Sequence, residues 1–452
     1  MSIKLKQSEV EQKFSFKKIN LVIRNIVQKK LFRVLVVVVV LITTVFFLWH
    51  NFLNKKIQQV VDKNIEITDD GAWCWFQSPS AVQFKDKTYV GWVKKNGDIM
   101  IGVYDNITKN ISSTVLHPGL QIDDHAAPSI LIREDGKIMV FYSAHVGDNM
   151  FYRVSVNSED ISSWDKEKTV NTNMEGIWKY TYSNPVQLSK ESGKIYLFWR
   201  GGNGEPTFSA STDGGNSWSE ARNLFFVSGE RPYMKVSSNG TDKIYFTFTD
   251  GHPNEVDNNS IYFAYYQKGS FYKADGTLIK SINDLPLTPT DVDMVYDSTK
   301  SGIKAWNWDI AFDKKGFPII VYAIFPTIND HRYRYAHWNG KSWDDNEITP
   351  AGGSIDKINE PYYSGGATLN HENPSVVFLS KNINGINEIE KWSTQNSGFN
   401  WNSENITSKS VKQNVRPIVP RNHNSDSLNV IWMNGEYTSY TKYDTVLKAK
   451  FQ

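Results

Sequence analysis

Six side chains able to move protons or bind an anion fall into register when the repeats of this chain are laid over one another: His125, His145, Tyr182, Arg200, Tyr233 and His252. His125 stands three residues before Pro128 and Tyr182 three before Pro185, at matching starts of neighbouring repeats. His145 follows MVFYSA, Arg200 follows IYLFW, and Asp250 and His252 follow IYFTFT, at matching ends. Tyr233 lies just inside another start, after Pro232. This is the set of groups needed to take the proton from C5 of a uronic acid. A His or Tyr serves as base, an Arg grips the carboxylate through paired hydrogen bonds as the enolate forms, and a second proton carrier serves the departing glycosidic oxygen. A lone His or Tyr at a strand end is usually a turn or packing residue. Five in matched register, with Tyr233 beside them, argue for one shared site.

The elements that must position them are hairpins. Seven segments begin at Ser78, His125, Tyr182, Glu230, Asn307, Tyr363 and Asn414. Each runs from a Pro or small residue through an apolar stretch, a polar turn and a second apolar-aromatic stretch, the pattern of a half-buried antiparallel pair. Starts recur roughly every 50 to 75 residues, which leaves each unit about four strands, the size of a propeller blade. The expected fold is therefore all-β, a seven-bladed β-propeller. In an antiparallel pair the entrance of the first strand and the exit of the second share one edge. The six residues should thus converge at one end of the ring.

Other polar residues have plainer readings. Ser211 to Trp218 (STDGGNSW) fits the Asp-box pattern, in which Asp213 caps a tight turn and Trp218 packs between sheets. Degenerate copies lie at Ser393 to Trp401 and Asn339 to Trp343. Asp123 and Asp124 either orient His125 or cap its loop. Arg231 and Arg416, each before a Pro, read as structural or peripheral to a ligand.

The rest of the chain bounds the setting. A net charge of +2, with Lys and Arg unclustered in the repeats, gives no nucleic-acid surface. Val34 to Leu53 contains no Asp, Glu, Lys or Arg, and about 20 such residues suffice for one helical membrane crossing. Residues 1–33 are basic, so the positive-inside rule makes them a cytoplasmic tail and sends the repeats across the bilayer. A cleaved signal peptide is the competing reading; the long basic lead and missing small-x-small site favour a transmembrane helix. Residues 54–69 read as a linker and 70–452 as the propeller. The last segment, Thr445 to Gln452, alternates like a strand and is expected to complete the first blade. Cys74 is the only cysteine, which excludes an internal disulfide and a thiolate-rich metal site.

Asp123-Asp124-His125-Ala126-Ala127-Pro128, followed by FYSAH, TYSNP, FWRGG, RPYMK and TFTDGHP, resembles the BNR-repeat polysaccharide lyases with seven-bladed propellers, the ulvan-lyase-like group. The resemblance spans about 70–440. It implies β-elimination beside a uronate of an acidic polysaccharide. By motif it makes His125, His145 and Tyr182 the proton-transfer candidates and Arg200 the carboxylate neutraliser, with Tyr233 and His252 lining the cleft. The division between base and acid stays open. No cofactor is required for this chemistry, while a structural calcium or a His-based metal site stays open. A membrane-anchored enzyme of this kind points to an envelope, capsule or exopolysaccharide of its own cell. Two other classes share parts of the pattern: a sialidase-like hydrolase, which needs an Arg triad, and a non-catalytic glycan-binding propeller.

Overall fold

The computed structural model describes residues 23–51, except 25, 33 and 34, and residues 64–451, except 426. The chain divides into two units, Met1–Lys63 and Asn64–Gln452. In the first, Ile26–Asn51 form one helix of 26 residues, long and apolar enough to cross a membrane, a test that a signal sequence also passes. Its Thr43 and Thr44 hydroxyls bond back to the Val39 and Val40 carbonyls at 2.7–3.0 Å. Most of the basic tail, residues 34, 52 and 53 of the expected helix and residues 54–63 of the linker lie outside the described residues.

The second unit is a seven-bladed propeller of antiparallel sheets. Its innermost strands are Ala81–Phe84, Ser129–Ile132, Thr181–Leu188, Met234–Ser238, Lys304–Phe312, Ala367–Leu369 and Gln413–Ile418; each touches the next in sequence, and a bridge from Val82 to Arg421 joins the last blade to the first. Each expected hairpin supplies the two inner strands of one blade. The turn from Arg133 to Lys137 shows why: Asp135 accepts from the Lys137 amide at 3.1 Å, and Gly136 takes φ +75°, which a side chain resists. The Asp box lies at the far end of the third blade. Asp213 Oδ1 accepts from the amides of Asn216 and Ser217 at 2.9 Å, and Trp218 packs on Phe141 and Tyr152 of the second blade. The fourth blade carries six strands, two more than the others: Ile261–Gln267 pairs on its outer side with both Ser270–Tyr272 and Asp293–Tyr296, and Leu278–Ser281 adds to Ser270–Tyr272.

The ring closes differently from expectation. Lys442–Lys450 belongs to the seventh blade, where it pairs with Val430–Ser439 and, on its other side, with Ile65–Thr68. Residues 65–68 are therefore a strand, although the sequence pattern assigns them to the linker, and the last segment completes the last blade, not the first. The reason is edge pairing: IEIT covers the otherwise unpaired outer edge of the Lys442–Lys450 strand.

After that strand the chain dives into the ring. Residues 72–80 run along its centre, where their backbone groups meet side chains and carbonyls from five blades. Trp73 Nε1 donates to the Arg416 carbonyl at 3.1 Å and Trp75 Nε1 to the Asn307 carbonyl at 3.2 Å. Asn184 Nδ2 donates to the Phe76 carbonyl at 3.1 Å, Lys235 Nζ donates to the Trp75 carbonyl, and the Cys74 amide donates to the Asp124 carbonyl at 3.0 Å. Arg416 fastens this segment. It is 1% exposed, and its Nη1 donates to the Trp73 carbonyl and to Asp124 Oδ2, both at 2.7 Å. Tyr437 bridges the pair, accepting from Arg416 Nη2 at 2.7 Å and donating to Asp124 Oδ2 at 2.6 Å. A buried pair adds little over apolar residues, but breaking it strands a charge. Arg416→Met is therefore expected to destabilise the propeller by about 3–5 kcal/mol; a melting temperature equal to that of the wild-type chain would refute this fastening role.

Candidate functional site

His125 sits in a short 3-10 turn, Asp124–Ala126, that Asp123 caps. Asp123 Oδ1 accepts from the His125 amide at 2.9 Å and from its Nδ1 at 2.6 Å, while Oδ2 accepts from His145 Nδ1 at 3.0 Å. One carboxylate thus orients two imidazoles, which stack with centroids 4.1 Å apart and planes 5° from parallel. Both Nδ1 atoms are donors, and both Nε2 atoms face away from Asp123. His145 Nε2 lies 3.2 Å from Arg200 Nη2. A guanidinium only donates, so His145 accepts there and is neutral.

Electrostatics separates the two rings. Burial, then the charges of His125 and Arg200, lower His145 to about 4 despite its bond to Asp123. Burial also works against charge on His125, but the carboxylates of Asp123 and Asp124 at its Nδ1 outweigh it and hold His125 well above its ordinary value. Burial raises Asp123 in turn, and the two imidazoles reverse this and hold its carboxyl well below the usual range.

Arg200 ends the second strand of the third blade and is 4% exposed. Its Nη1 donates to the Tyr233 hydroxyl at 2.8 Å, and its Cζ lies 4.8 Å from the Tyr182 ring and 5.1 Å from the Trp178 ring. Its Nε has no hydrogen-bond partner, and among the described residues no carboxylate forms an ion pair with it. Arg231 differs: Glu255 binds it in a two-pronged pair, and its Nη1 donates to the Tyr233 hydroxyl at 3.2 Å. The turn after Arg200 packs against Arg231 only because residue 204 is Gly. It holds φ +105°, and a Cβ there would lie 2.7 Å from Arg231 Cβ.

Tyr182 is aimed by a bulge. The register of its strand shifts between Thr181 and Asn184, and Tyr182 takes φ +63°, a left-handed conformation that a non-glycine residue adopts only under surrounding restraint. Its ring lies 5.4 Å from His125, 6.5 Å from His145 and 6.0 Å from Tyr233. Burial raises its hydroxyl well above the ordinary tyrosine value, against the pull of His125 and Arg200, so it keeps its proton at neutral pH. His252 packs edge-on against Tyr233 at 5.6 Å and Trp306 at 4.7 Å. Its Nδ1 accepts from the Asn254 amide at 3.2 Å, and burial together with Arg231 and Arg200 lowers it well below its ordinary value.

The structure therefore brings all six sequence-selected residues into one cluster at one end of the axis. It also adds residues the sequence pattern does not expose. Phe76, from the axial segment, forms the floor, 5.2 Å from Tyr182 and 4.6 Å from Tyr233. The loop between the fifth and sixth blades brings Glu360 Oε2 to 3.4 Å from His252 Nε2 and the Tyr363 hydroxyl to 3.4 Å from His125 Nε2. Burial, then Asp356, pushes Glu360 up to about 7. The dense WCWF run at Trp73–Phe76 is a signal for the floor; nothing local marks Glu360. His145, Arg231 and Glu360 keep 19%, 16% and 14% of their side chains exposed, which makes them the solvent-facing edge.

Among the described residues, two donor groups lie close enough to share an ion: Cys74, Asp124 and His125, and Asp123, His125 and His145. Neither fits one well. Asp124 Oδ2 already holds Arg416 and Tyr437, and Asp123 already holds both imidazole Nδ1 atoms. A cation at the first would stand beside a guanidinium.

The comparisons with known proteins follow the same lines. The chain is 22% identical over 407 residues to the ulvan lyase of Nonlabens ulvanivorans, covering 78% of this chain and 82% of the relative. It is 22% identical over 321 residues to the ulvan lyase of Alteromonas sp. (strain LOR), covering 59% and 63%. A solved structure of a PL25 ulvan lyase, also determined bound to -[GlcA(1-4)Rha3S]-, superposes with a TM-score of 0.67 at 17% identity, covering 86% of this chain and 96% of that one. The model of the BNR repeat-containing family matches residues 87–351, and the chain belongs to that family.

Proposed function

We propose that this protein is a polysaccharide lyase that cleaves a uronate-containing acidic polysaccharide by β-elimination. The observation that carries the reading is Arg200, a buried guanidinium with no carboxylate partner among the described residues, set beside a neutral imidazole and a protonated phenol. A substrate carboxylate at Arg200 supplies the missing anion. Binding there also frees the His145 Nε2 lone pair from Arg200 Nη2. His145 then takes the C5 proton, the C4–O4 bond breaks as the C4–C5 double bond forms, and the Tyr182 hydroxyl gives its proton to O4. His125, held cationic, and Arg200 stabilise the enolate charge. Tyr233 and His252 shape the cleft. The resemblance to ulvan lyases and the glucuronate in the ligand of the PL25 structure support this class of substrate.

The helix Ile26–Asn51 we read as a membrane anchor with its basic N-terminal side in the cytoplasm and the propeller outside. The full-length protein should then stay in the membrane pellet after alkaline carbonate washing, with an intact N-terminus. A soluble product beginning after the apolar run would make the segment a signal sequence.

Elimination creates a conjugated double bond, so incubation with uronate polymers should raise absorbance near 235 nm. Arg200→Ala and Tyr182→Phe, folded by circular dichroism, should lose about 10²-fold or more of that rate. Arg200→Lys should not restore it, because an ammonium lacks the paired donors. Full activity in either folded variant would reject the site, and binding without absorbance would make the protein a glycan-binding propeller.

The proposed base also fixes a pH dependence. His145 must be neutral to act, and the fold lowers it from 6.5 to about 4. The acid limb of kcat/KM should therefore fall near pH 4, with activity kept as pH drops through 6.5. Asp123→Asn, which loosens both imidazoles, should lower the rate and move that limb. An acid limb at 6.5 in the wild-type enzyme would remove His145 from the role of base.

A further inference from the structure

Beside the axial segment lies a partly open cavity of about 40 Å³, lined in part by Arg416, whose charge Asp124 already meets, and by none of the six mouth residues. Lys235, Asp309, Thr368, Arg421, Gln77 and Ser78 do. Lys235 is 4% exposed. Its ammonium has three N–H donors, and the Trp75 carbonyl is its one acceptor among the described residues. Burial lowers it to about 8, so it is still a cation at neutral pH.

The neighbouring carboxylate, Asp309, does not balance this charge. Asp309 Oδ2 accepts from Thr368 Oγ1 and the Leu369 amide at 2.9 Å, and both of its oxygens lie 3.1 Å from His371 Nε2. Its closest approach to Arg421 is 3.5 Å, a loose pair, and Arg421 Nη2 donates to Ser78 Oγ at 3.3 Å. Two cations thus share one carboxylate whose lone pairs are mostly taken. An unmatched buried cation is costly unless an anion or a dense set of acceptors meets it.

We propose that this cavity binds one small monovalent anion of the halide class, held between Lys235 and Arg421. A water needs about 10–15 Å³ by this measure, so the space suits a halide with a companion water and is too small for a sugar. The companion also serves Gln77 Oε1, a buried acceptor without a partner, whose Nε2 donates to the Asp124 carbonyl at 3.2 Å. Because Lys235 also holds the Trp75 carbonyl, the anion braces the axial segment.

Two measurements on the full-length protein test this without reference to catalysis. Crystals soaked in sodium bromide should show an anomalous peak within hydrogen-bond distance of Lys235 Nζ. Melting in sodium chloride should exceed melting in sodium gluconate at equal ionic strength by several degrees, and Lys235→Met should erase that difference. Water density alone, bridging Lys235 to Gln77 in the bromide-soaked crystal, would overturn the proposal, as would an unchanged chloride dependence in Lys235→Met. Should the variant fail to fold, the bromide soak of the wild-type protein decides.

Discussion

A backbone segment that runs through the middle of a propeller cannot be hydrated, so its polar groups must be met by the protein around it. Residues 72–80 impose this requirement, and much of the interior follows from it. Asn184, Asn307, Asp124, Arg416 and Lys235 stand on different blades or their loops, yet each offers a donor or acceptor to this one strip of chain. Blade position is thereby fixed against a common centre as well as between neighbours. The same strip places Trp75 and Phe76 across the axis, and the mouth above them has an aromatic floor instead of an open channel.

Two buried guanidinium groups show how similar chemistry is put to different ends. Arg416 is met by a carboxylate, a phenol and a carbonyl, and its charge is spent inside the fold. Among the described residues, Arg200 meets only neutral groups, an imidazole nitrogen and a phenol oxygen, with aromatic rings around them. The first arrangement holds structure; the second holds an attraction in reserve for an anion from outside. Asp123 makes the reserve useful by fixing two imidazoles in one orientation while their charge states diverge.

Much of this was legible in the sequence, for definite reasons. Hairpins announce themselves through alternation and turn residues, so blade number and the common edge of His125, His145, Tyr182 and Arg200 follow from register. The aim of a side chain is less visible. Tyr182 reaches the axis through a left-handed bulge, and Arg416 likewise has φ +51° beside a register shift between Val415 and Ile418. Neither bulge is marked by glycine. The axial segment was hidden because residues 72–77 show no strand alternation, so nothing in them marks a path along the axis, and Ile65–Thr68 because four residues are too few to show alternation. Glu360 and Tyr363 sit on a loop whose shape is set by contacts with Asn254 and Thr438, far away in sequence.

The composition of the seventh blade has a consequence for how the molecule is made. Ile65 pairs with Ala449, so strands at the two ends of the propeller must wait for each other across nearly the whole chain. During synthesis the first six blades leave the ribosome before the partner of Ile65–Thr68 exists. Such distant pairings form late, because loop closure precedes any gain from contact. Arg416 and Tyr437 arrive with that last blade, and only then can Asp124, next to His125, find its counter-charge. Maturation of the mouth is thus tied to synthesis of the seventh blade, and a nascent chain halted before that blade presents no finished site.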